Sequence, residues 1–184
     1  DSPIFKKGDT CYCLDIAKNA IVQKRYAIIV EGYLDAIMCC QYGFVNTIAP
    51  LGTALTSGHF KKLKRLSDNI LLVFDGDPAG ISATKRSLEM AYAEGMTAKV
   101  MLLPSGEDPD SFLRKYGAEK FKKYMGAPLS VVAFMLKFGG KSRLEAVRSI
   151  MNIISLCPDP LQRDELLRET ADRSKVSETA LREE

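Results

Sequence analysis

Residues 26–35 read Tyr26-Ala-Ile-Ile-Val-Glu-Gly-Tyr-Leu-Asp35, and this stretch decides the fold class. Its first half is an apolar, β-branched run without polar alternation, which is typical of a strand covered on both faces. From Tyr33 to Tyr42 the apolar residues instead recur at helical spacing, and Gly43 follows as a stop signal. A buried strand that passes directly into a helix predicts an α/β fold with a parallel sheet.

The alternation of strand and helix continues as far as residue 103. Further strands are predicted at 47–49, 69–74 and 98–103, with helices at 57–66 and 81–94 between them. Beyond a Pro- and Gly-containing turn only helical patterns remain, at 111–116, 129–138 and 142–156, and Asp159 and Ser177 are predicted N-caps of later helices. We therefore predict a boundary near residue 107.

Composition excludes several classes of protein. The hydrophobic fraction of 46% is ample for a core, and the longest apolar stretch is too short to cross a membrane, so we expect a soluble cytoplasmic protein. Five cysteines without a C-x-x-C pair, with His59 as the sole histidine, argue against a zinc site in these residues. A net charge of +3 does not by itself demand a polyanionic partner, and the basic run 61–65 is either a phosphate contact or a solvated helix face.

The informative residues are acids placed where predicted strands end. Glu31 follows the first strand, Asp75 and Asp77 follow the third, and Asp108 and Asp110 come after the fourth. Ligands of open parallel sheets bind outside the carboxyl ends of the strands, where the strand order reverses. Glu31 and Asp75 converge there only if the first and third strands are neighbours, with the second strand on the far side of the first, in an order such as 2-1-3-4. Clustered carboxylates repel one another, and bound Mg²⁺ or Mn²⁺ would remove that repulsion.

For each acid, a purely structural role is an alternative to metal binding, and the sequence does not decide between the two. Asp35, one helical turn after Glu31, would favour the positive end of its helix. The stretch from Asp75 to Gly80 would form a polar turn and a helix cap. A phosphate-binding loop and a dinucleotide-binding fingerprint are both missing from the sequence, which argues against an ATPase or a dinucleotide dehydrogenase.

Four motifs in order resemble those of bacterial DnaG-type primases. They are Val30-Glu-Gly-Tyr-Leu-Asp35, Leu51-Gly-Thr-Ala-Leu-Thr56, Phe74-Asp-Gly-Asp-Pro-Ala-Gly80 and Gly106-Glu-Asp-Pro-Asp110. The glutamate and the D-x-D pair are typical of Toprim domains generally, whereas the other two stretches indicate a primase. The resemblance extends from residue 3 to about residue 116 and implies a Toprim-type open, mainly parallel sheet flanked by helices and followed by a small all-helical subdomain. It divides the chain into a segment leading in from a basic subdomain (1–24), a Toprim domain (25–107) and a helical subdomain (108–184).

The resemblance also implies roles for individual residues. It implies catalytic roles for Glu31, Asp75, Asp77 and Asp35, and Mg²⁺ or Mn²⁺ ligation by Glu31, Asp75, Asp77, Asp108 and Asp110. Tyr33 and Thr53 would approach the bound nucleotide, and Lys7 would bind nucleic acid in a basic groove.

The implied activity is that of a DNA primase, which uses NTPs to synthesise short RNA primers on single-stranded DNA at the replication fork. The family's zinc module and helicase-binding domain are not visible in these residues, so we expect a catalytic-core fragment that primes weakly or not at all. Alternatives are another Toprim enzyme such as a nuclease or topoisomerase, a haloacid dehalogenase-type phosphatase with Asp75 as nucleophile, and a non-catalytic nucleic-acid-binding module whose acids are only caps.

Overall fold

The computed structural model describes Gly8 and residues 10–184, which form one six-stranded sheet covered by helices. The strands are β1 (Cys11–Tyr12), β2 (Ala27–Ile29), β3 (Thr47–Pro50), β4 (Asn69–Phe74), β5 (Thr97–Leu102) and β6 (Leu129–Ser130). The helices are α1 (Leu14–Lys24), α2 (Tyr33–Gln41), α3 (Ser57–Lys64), α4 (Pro78–Ala93), α5 (Pro109–Met125), α6 (Val131–Phe138), α7 (Arg143–Leu156), α8 (Pro160–Ser174) and α9 (Glu178–Glu183).

The four central strands run parallel in the order β3-β2-β4-β5. This is the 2-1-3-4 order expected from the sequence, so that prediction and the mainly parallel fold class are confirmed. In the register of β2 and β4, Ile29 lies opposite Leu72, so both strands end at the same edge. The short strands β1 and β6 add antiparallel pairs at the two sides of the sheet, which the sequence analysis did not predict.

Both faces of the sheet are buried, which explains why its strands show no polar alternation. In β4, Ile70 and Leu72 face one hydrophobic cluster, formed with α1, α3, α4 and α6 to α8. Leu71 and Val73 face the other, formed with α2 and α5. Burying each such side chain contributes about 1.5–3 kcal/mol, so these two clusters hold the strand ends in place.

The helices after α5 continue the same core. Phe134 of α6 and Ile150 of α7 belong to the cluster that contains Leu72 of β4. The predicted N-caps are confirmed, since Asp159 accepts the N–H of Leu161 and Ser177 accepts that of Ala180. The proposed boundaries at 24 and 107 stay predictions. Across the described chain, no helix combines the length and apolar character that a membrane span requires.

Candidate metal centre

The sheet places two of the predicted site residues side by side. Glu31 lies two residues past β2, and Asp75 directly follows β4. These strands are parallel neighbours, and the chain continues from β2 to one side of the sheet and from β4 to the other. The strand order therefore reverses between them, which is the position where open α/β sheets bind ligands.

Five acids form what we call the carboxylate cluster: Glu31, Asp35, Asp75, Asp77 and Asp108. Burial, together with the charges of Glu31 and Asp108, raises the pKa of Asp75 to about 6. The pKa of Asp35 is also about 6, because burial and the charge of Asp108 outweigh the hydrogen bonds that it accepts. Burial raises the pKa of Glu31 as well, with Asp77 and Asp35 adding to the effect. The acids are thus close enough to repel one another.

Asp35 connects two helices that start at this edge. The residue is only 8% exposed, and its Oδ2 accepts the N–H of Gly32, 3.1 Å away, at the start of α2. Its Oδ1 accepts the N–H of Asp110, 3.2 Å away, in the first turn of α5. Asp35 therefore stabilises the start of its own helix, as the structural interpretation of the sequence expects. It does so while lying inside the carboxylate cluster.

Asp77 and Asp108 are helix caps as well as members of the cluster. Asp77 accepts the N–H of Gly80 at 2.7 Å and begins α4, and Asp108 accepts the N–H of Ser111 at 2.6 Å and begins α5. A side-chain oxygen at this position satisfies an N–H that the helix itself leaves unpaired. The interpretation of these acids as helix caps is therefore correct. Their role as caps is compatible with their membership of a cluster of mutually repelling carboxylates.

Asp75 differs from the other members of the cluster. Glu31 accepts a hydrogen bond from the main-chain N–H of Asp75, which lowers the pKa of Glu31 and offsets part of the effect of burial. The carboxylate of Asp75 itself accepts no hydrogen bond from any residue that the structure describes, and it is partly open to solvent. Its oxygens therefore have no hydrogen bond from these residues that a bound cation would have to displace.

The remaining predicted site residues lie around the cluster. The carboxylate of Asp110 pairs with Arg114 at 2.8 Å, so only its main chain contacts the cluster in this structure. Tyr33 is 51% exposed and its ring lies 5.9 Å from that of Tyr12. Lys7 lies outside the described residues, so its predicted role stays a prediction.

A cavity of about 300 Å³ adjoins the cluster on the side of α4. Glu31, Thr53 and Arg86 line it together with apolar residues of β4 and α4. The charge of Arg86 lowers the pKa of Glu31, and its guanidinium donates to Ser82 at 2.8 Å. Arg86 was not predicted as a site residue. In the sequence, a single arginine on a helix that lines a site looks the same as one that is exposed to solvent.

The donor set fits a hard divalent cation by its chemistry. All its ligand atoms would be carboxylate oxygens, which Mg²⁺ and Mn²⁺ prefer, and a cation would relieve the repulsion that raises these pKa values. In Gly8 and residues 10–184, however, no three Asp, Glu, His or Cys side chains are already arranged as a ligand set. Side chains at this edge would therefore have to rotate in order to hold a cation.

The raised pKa values predict a stability effect in protein stripped of divalent cations. A folded-state pKa of about 6 for Asp75, above its ordinary value of 3.8, means a contribution to stability that is complete below pH 3.8 and lost as the pH rises through 6. Asp75→Asn should therefore stabilise the protein by about 1 kcal/mol at pH 7.5, after allowance for solvent screening, and much less at pH 4. Urea unfolding in EDTA at both pH values measures this, with the exposed Asp172→Asn as control. Equal effects of Asp75→Asn at the two pH values would contradict the repulsion.

Comparisons with known proteins agree with this geometry. A family model described as Toprim-like matches residues 28–113, and one described as the DnaB-helicase binding domain of primase matches residues 141–179. The chain is 35% identical over 193 residues to a DNA primase of Halalkalibacterium halodurans, an alignment that covers 100% of this chain. It is 37% identical over 138 residues to the DNA primase of Escherichia coli, covering 73% of this chain. The chain belongs to the bacterial DnaG-type primase family.

Solved DnaG-type primase structures have the same fold. The zinc-binding and RNA polymerase domains of the Aquifex aeolicus primase superpose with a TM-score of 0.88 at 30% identity, over 98% of this chain and 45% of that one. A DnaG primase catalytic domain bound to single-stranded DNA superposes with a TM-score of 0.81 at 31% identity, over 94% of this chain and 59% of that one. The chain spans about a third of the length of the curated DnaG-type relatives, 32% in the case of Halalkalibacterium halodurans.

The second family model bears on the expected helicase partner. From the sequence, helicase binding is expected in a domain outside these residues, and the model described as a helicase-binding domain matches residues 141–179, which contain α7 and α8. Sequence reasoning found no chemical motif in these helices, because a protein-binding helix surface has the same periodicity as any helix that packs on a core.

Proposed function

We propose that these residues are the catalytic centre of a DNA primase, which synthesises short RNA primers on a single-stranded DNA template. The observation that supports this most is the carboxylate cluster at the switch point of the sheet, with Asp75 open to solvent. The similarity to primases extends over the whole chain and beyond the Toprim-like part, which favours a primase over a nuclease or a topoisomerase.

The metal would be Mg²⁺ or Mn²⁺. Glu31, Asp75 and Asp77 would be the principal ligands, and Asp35, Asp108 and Asp110 would complete the acidic site. Such a cation supplies two effects when bound, since it lowers the pKa of an attacking hydroxyl and neutralises charge on the phosphate oxygens. Asp77 and Asp108 keep the starts of α4 and α5 in position beside the ligands, through the N–H groups that they accept.

The reaction is nucleotidyl transfer, in which a ribose 3′-hydroxyl attacks the α-phosphorus of an NTP and pyrophosphate leaves. The cavity beside Glu31 would receive part of the nucleotide, with Thr53 at its wall. The exposed ring of Tyr33 would approach the nucleotide from the start of α2. Arg86 presents a cation in the same cavity to an anionic group of the substrate. No protein nucleophile is required, because catalysis of phosphoryl transfer consists mainly of positioning and charge stabilisation.

The partners would be the single-stranded template, NTPs and the nascent RNA. The replicative helicase would contact α7 and α8, since the model of a helicase-binding domain matches there. The protein would act in the cytoplasm, at the replication fork. Lys7 would contact nucleic acid, and the described residues alone would prime weakly or not at all.

Calorimetric titration with Mn²⁺ tests the proposed function. Glu31→Gln removes one ligand charge and keeps the shape of the side chain, so we expect affinity to fall by about 10-fold or more. Glu183→Gln at the exposed end of α9 is the matched control and should bind like the unsubstituted protein. If the unsubstituted protein has no measurable affinity for Mn²⁺, the carboxylates are only helix caps and the proposed function is wrong.

A further inference from the structure

Two cavities are lined by residues of β5. One of about 500 Å³ adjoins Thr97 and Lys99 in the first half of the strand and also reaches the starts of β2 and β4, and one of about 590 Å³ adjoins Val100 to Leu102 in the second half. The end of α5 and the turn before β6 contribute to both, with Met125 and Pro128 in the first cavity and Ala127 in the second. We call the two cavities together the β5 groove.

All the charged residues that line this groove are cations. We call them the basic band: Lys24, Arg25 and Lys99 in the first cavity, and Lys120, Lys123 and Lys137 in the second. All six are exposed, and none pairs with a carboxylate of the described residues. Nearby lysines of α5 behave differently, since Lys115 pairs with Glu107 and Lys122 with Glu119, each at 2.7 Å. In a chain of net charge +3, six cations around two cavities, none of them paired with a described carboxylate, concentrate positive potential there.

Three of these cations make contacts through their ammonium groups, and none of these contacts removes the charge. The ammonium of Lys120 lies 4.0 Å from the centre of the Tyr116 ring, and that of Lys137 lies 5.1 Å from the Phe138 ring. Lys24 donates to the amide oxygen of Asn46 at 3.0 Å. An aromatic ring or an amide does not neutralise an ammonium group, so the band remains available to an anion.

The spacing of the charges favours an extended polyanion over a small one. The two cavities that the band surrounds adjoin β5 from Thr97 to Leu102, a six-residue strand of about 20 Å. One strand of a nucleic-acid duplex carries a phosphate about every 3.4 Å along the helix axis, so several phosphates fit beside the band. A single small anion would contact the cations of one cavity only.

We propose that the basic band binds the phosphate backbone of nucleic acid and guides it along β5. Leu102, in the second cavity, ends β5 at the edge where the carboxylate cluster lies, and Asp108 of that cluster follows a short turn. A strand that leaves the cluster along this side meets Lys120 and Lys123 first and Lys99 next. The identity of the nucleic acid, template or primer duplex, rests on the proposed function, whereas the binding itself requires no catalysis.

The test compares two triple variants of the intact protein that contains this chain. The band variant carries Lys99→Gln, Lys120→Gln and Lys123→Gln. The control variant carries Lys61→Gln, Lys115→Gln and Lys122→Gln, whose lysines pair with Glu94, Glu107 and Glu119. Both lose three positive charges, so they differ in where the charges lie and in whether a carboxylate pairs with them. Binding of a fluorescent single-stranded DNA and of an RNA–DNA duplex is measured at several salt concentrations.

We expect the band variant to lose at least about 10-fold in affinity at 0.1 M salt. Its slope of log affinity against log salt should be smaller by about 2, since each lost phosphate contact on a single strand contributes about 0.7. The control should change much less. Equal losses in the two variants would overturn the proposal, and so would retained DNA affinity with loss of helicase binding, which would identify an acidic protein segment as the occupant. Mn²⁺ titration of the same variants should be unchanged, so a failure of the metal site is distinguished from a failure of the band.

Discussion

Asp75→Asn in the intact protein is expected to reduce template-directed primer synthesis on the order of a hundred- to a thousand-fold, as removal of one preorganised charge-stabilising group does. Asn keeps the shape of the side chain and removes its charge. Asp75 is the member of the carboxylate cluster whose oxygens accept no hydrogen bond from the described residues, so its charge serves no cap or helix contact that the substitution would break. The loss should therefore be one of activity and not of folding.

Primer synthesis on a single-stranded template with labelled NTPs measures this effect, with Asp172→Asn on the exposed face of α8 as control. Thermal unfolding in EDTA at pH 7.5 accompanies it, and there the Asp75→Asn protein should be at least as stable as the unsubstituted one. Undiminished synthesis by a stable Asp75→Asn protein is incompatible with the proposed catalytic centre.

Gly80→Ala is expected to destabilise the protein by about 2–3 kcal/mol and to weaken Mn²⁺ binding as well. A Cβ at Gly80 would lie 2.3 Å from the main-chain oxygen of Asp75 and 3.0 Å from its carbonyl carbon. Because both atoms belong to the backbone, no rotamer change relieves the contact, and overpacking of this kind costs about 1–3 kcal/mol or more. The start of α4 would have to move away from the end of β4, and Asp75 would move with it.

Urea unfolding and Mn²⁺ titration measure the two effects together. The matched control is Gly126→Ala, at a glycine with φ −72° whose added Cβ would come no closer than 3.4 Å to its neighbours. Its effect should stay within about 0.5 kcal/mol. Unchanged stability of Gly80→Ala would mean that α4 and β4 do not approach as closely as the structure has them.

The central sheet was predictable because its signals are local. Strands buried on both faces read as uninterrupted apolar runs, and the helices between them show periodic spacing. The strand order followed from one further requirement, that Glu31 and Asp75 converge, and the structure confirms that order. The acids lie together at one edge of the sheet because they follow the carboxyl ends of parallel strands.

The elements that were missed depend on tertiary contacts. β6 has only two residues, too few to show a period, and they stand at the start of a stretch predicted as one helix from 129 to 138. Leu129 pairs with Val100 of β5, and Ser130 caps α6 by accepting the N–H of Ala133, so the helix begins at Val131. α5 extends beyond the prediction to Met125, because helix resumes after a break at Gly117, where φ is +76°.

The charged surfaces were the least predictable part of the site. The run from Lys61 to Arg65 stands out in the sequence, yet Lys61 pairs with Glu94 and Lys64 with Asp68. The basic band collects its cations from separate elements of the fold, and only the folded chain brings them together. Likewise Arg86 becomes notable only because α4 turns it toward the cavity beside Glu31.

Asp35 gives this edge of the molecule a mechanical property. Asp35 belongs to α2, and its Oδ1 accepts the N–H of Asp110, so the first turn of α5 cannot move away from α2 without breaking this bond. A displacement of Asp35 on binding a cation would therefore act first on the part of α5 before the break at Gly117. A single side chain thus couples the position of a cation among the acids to the position of the start of α5.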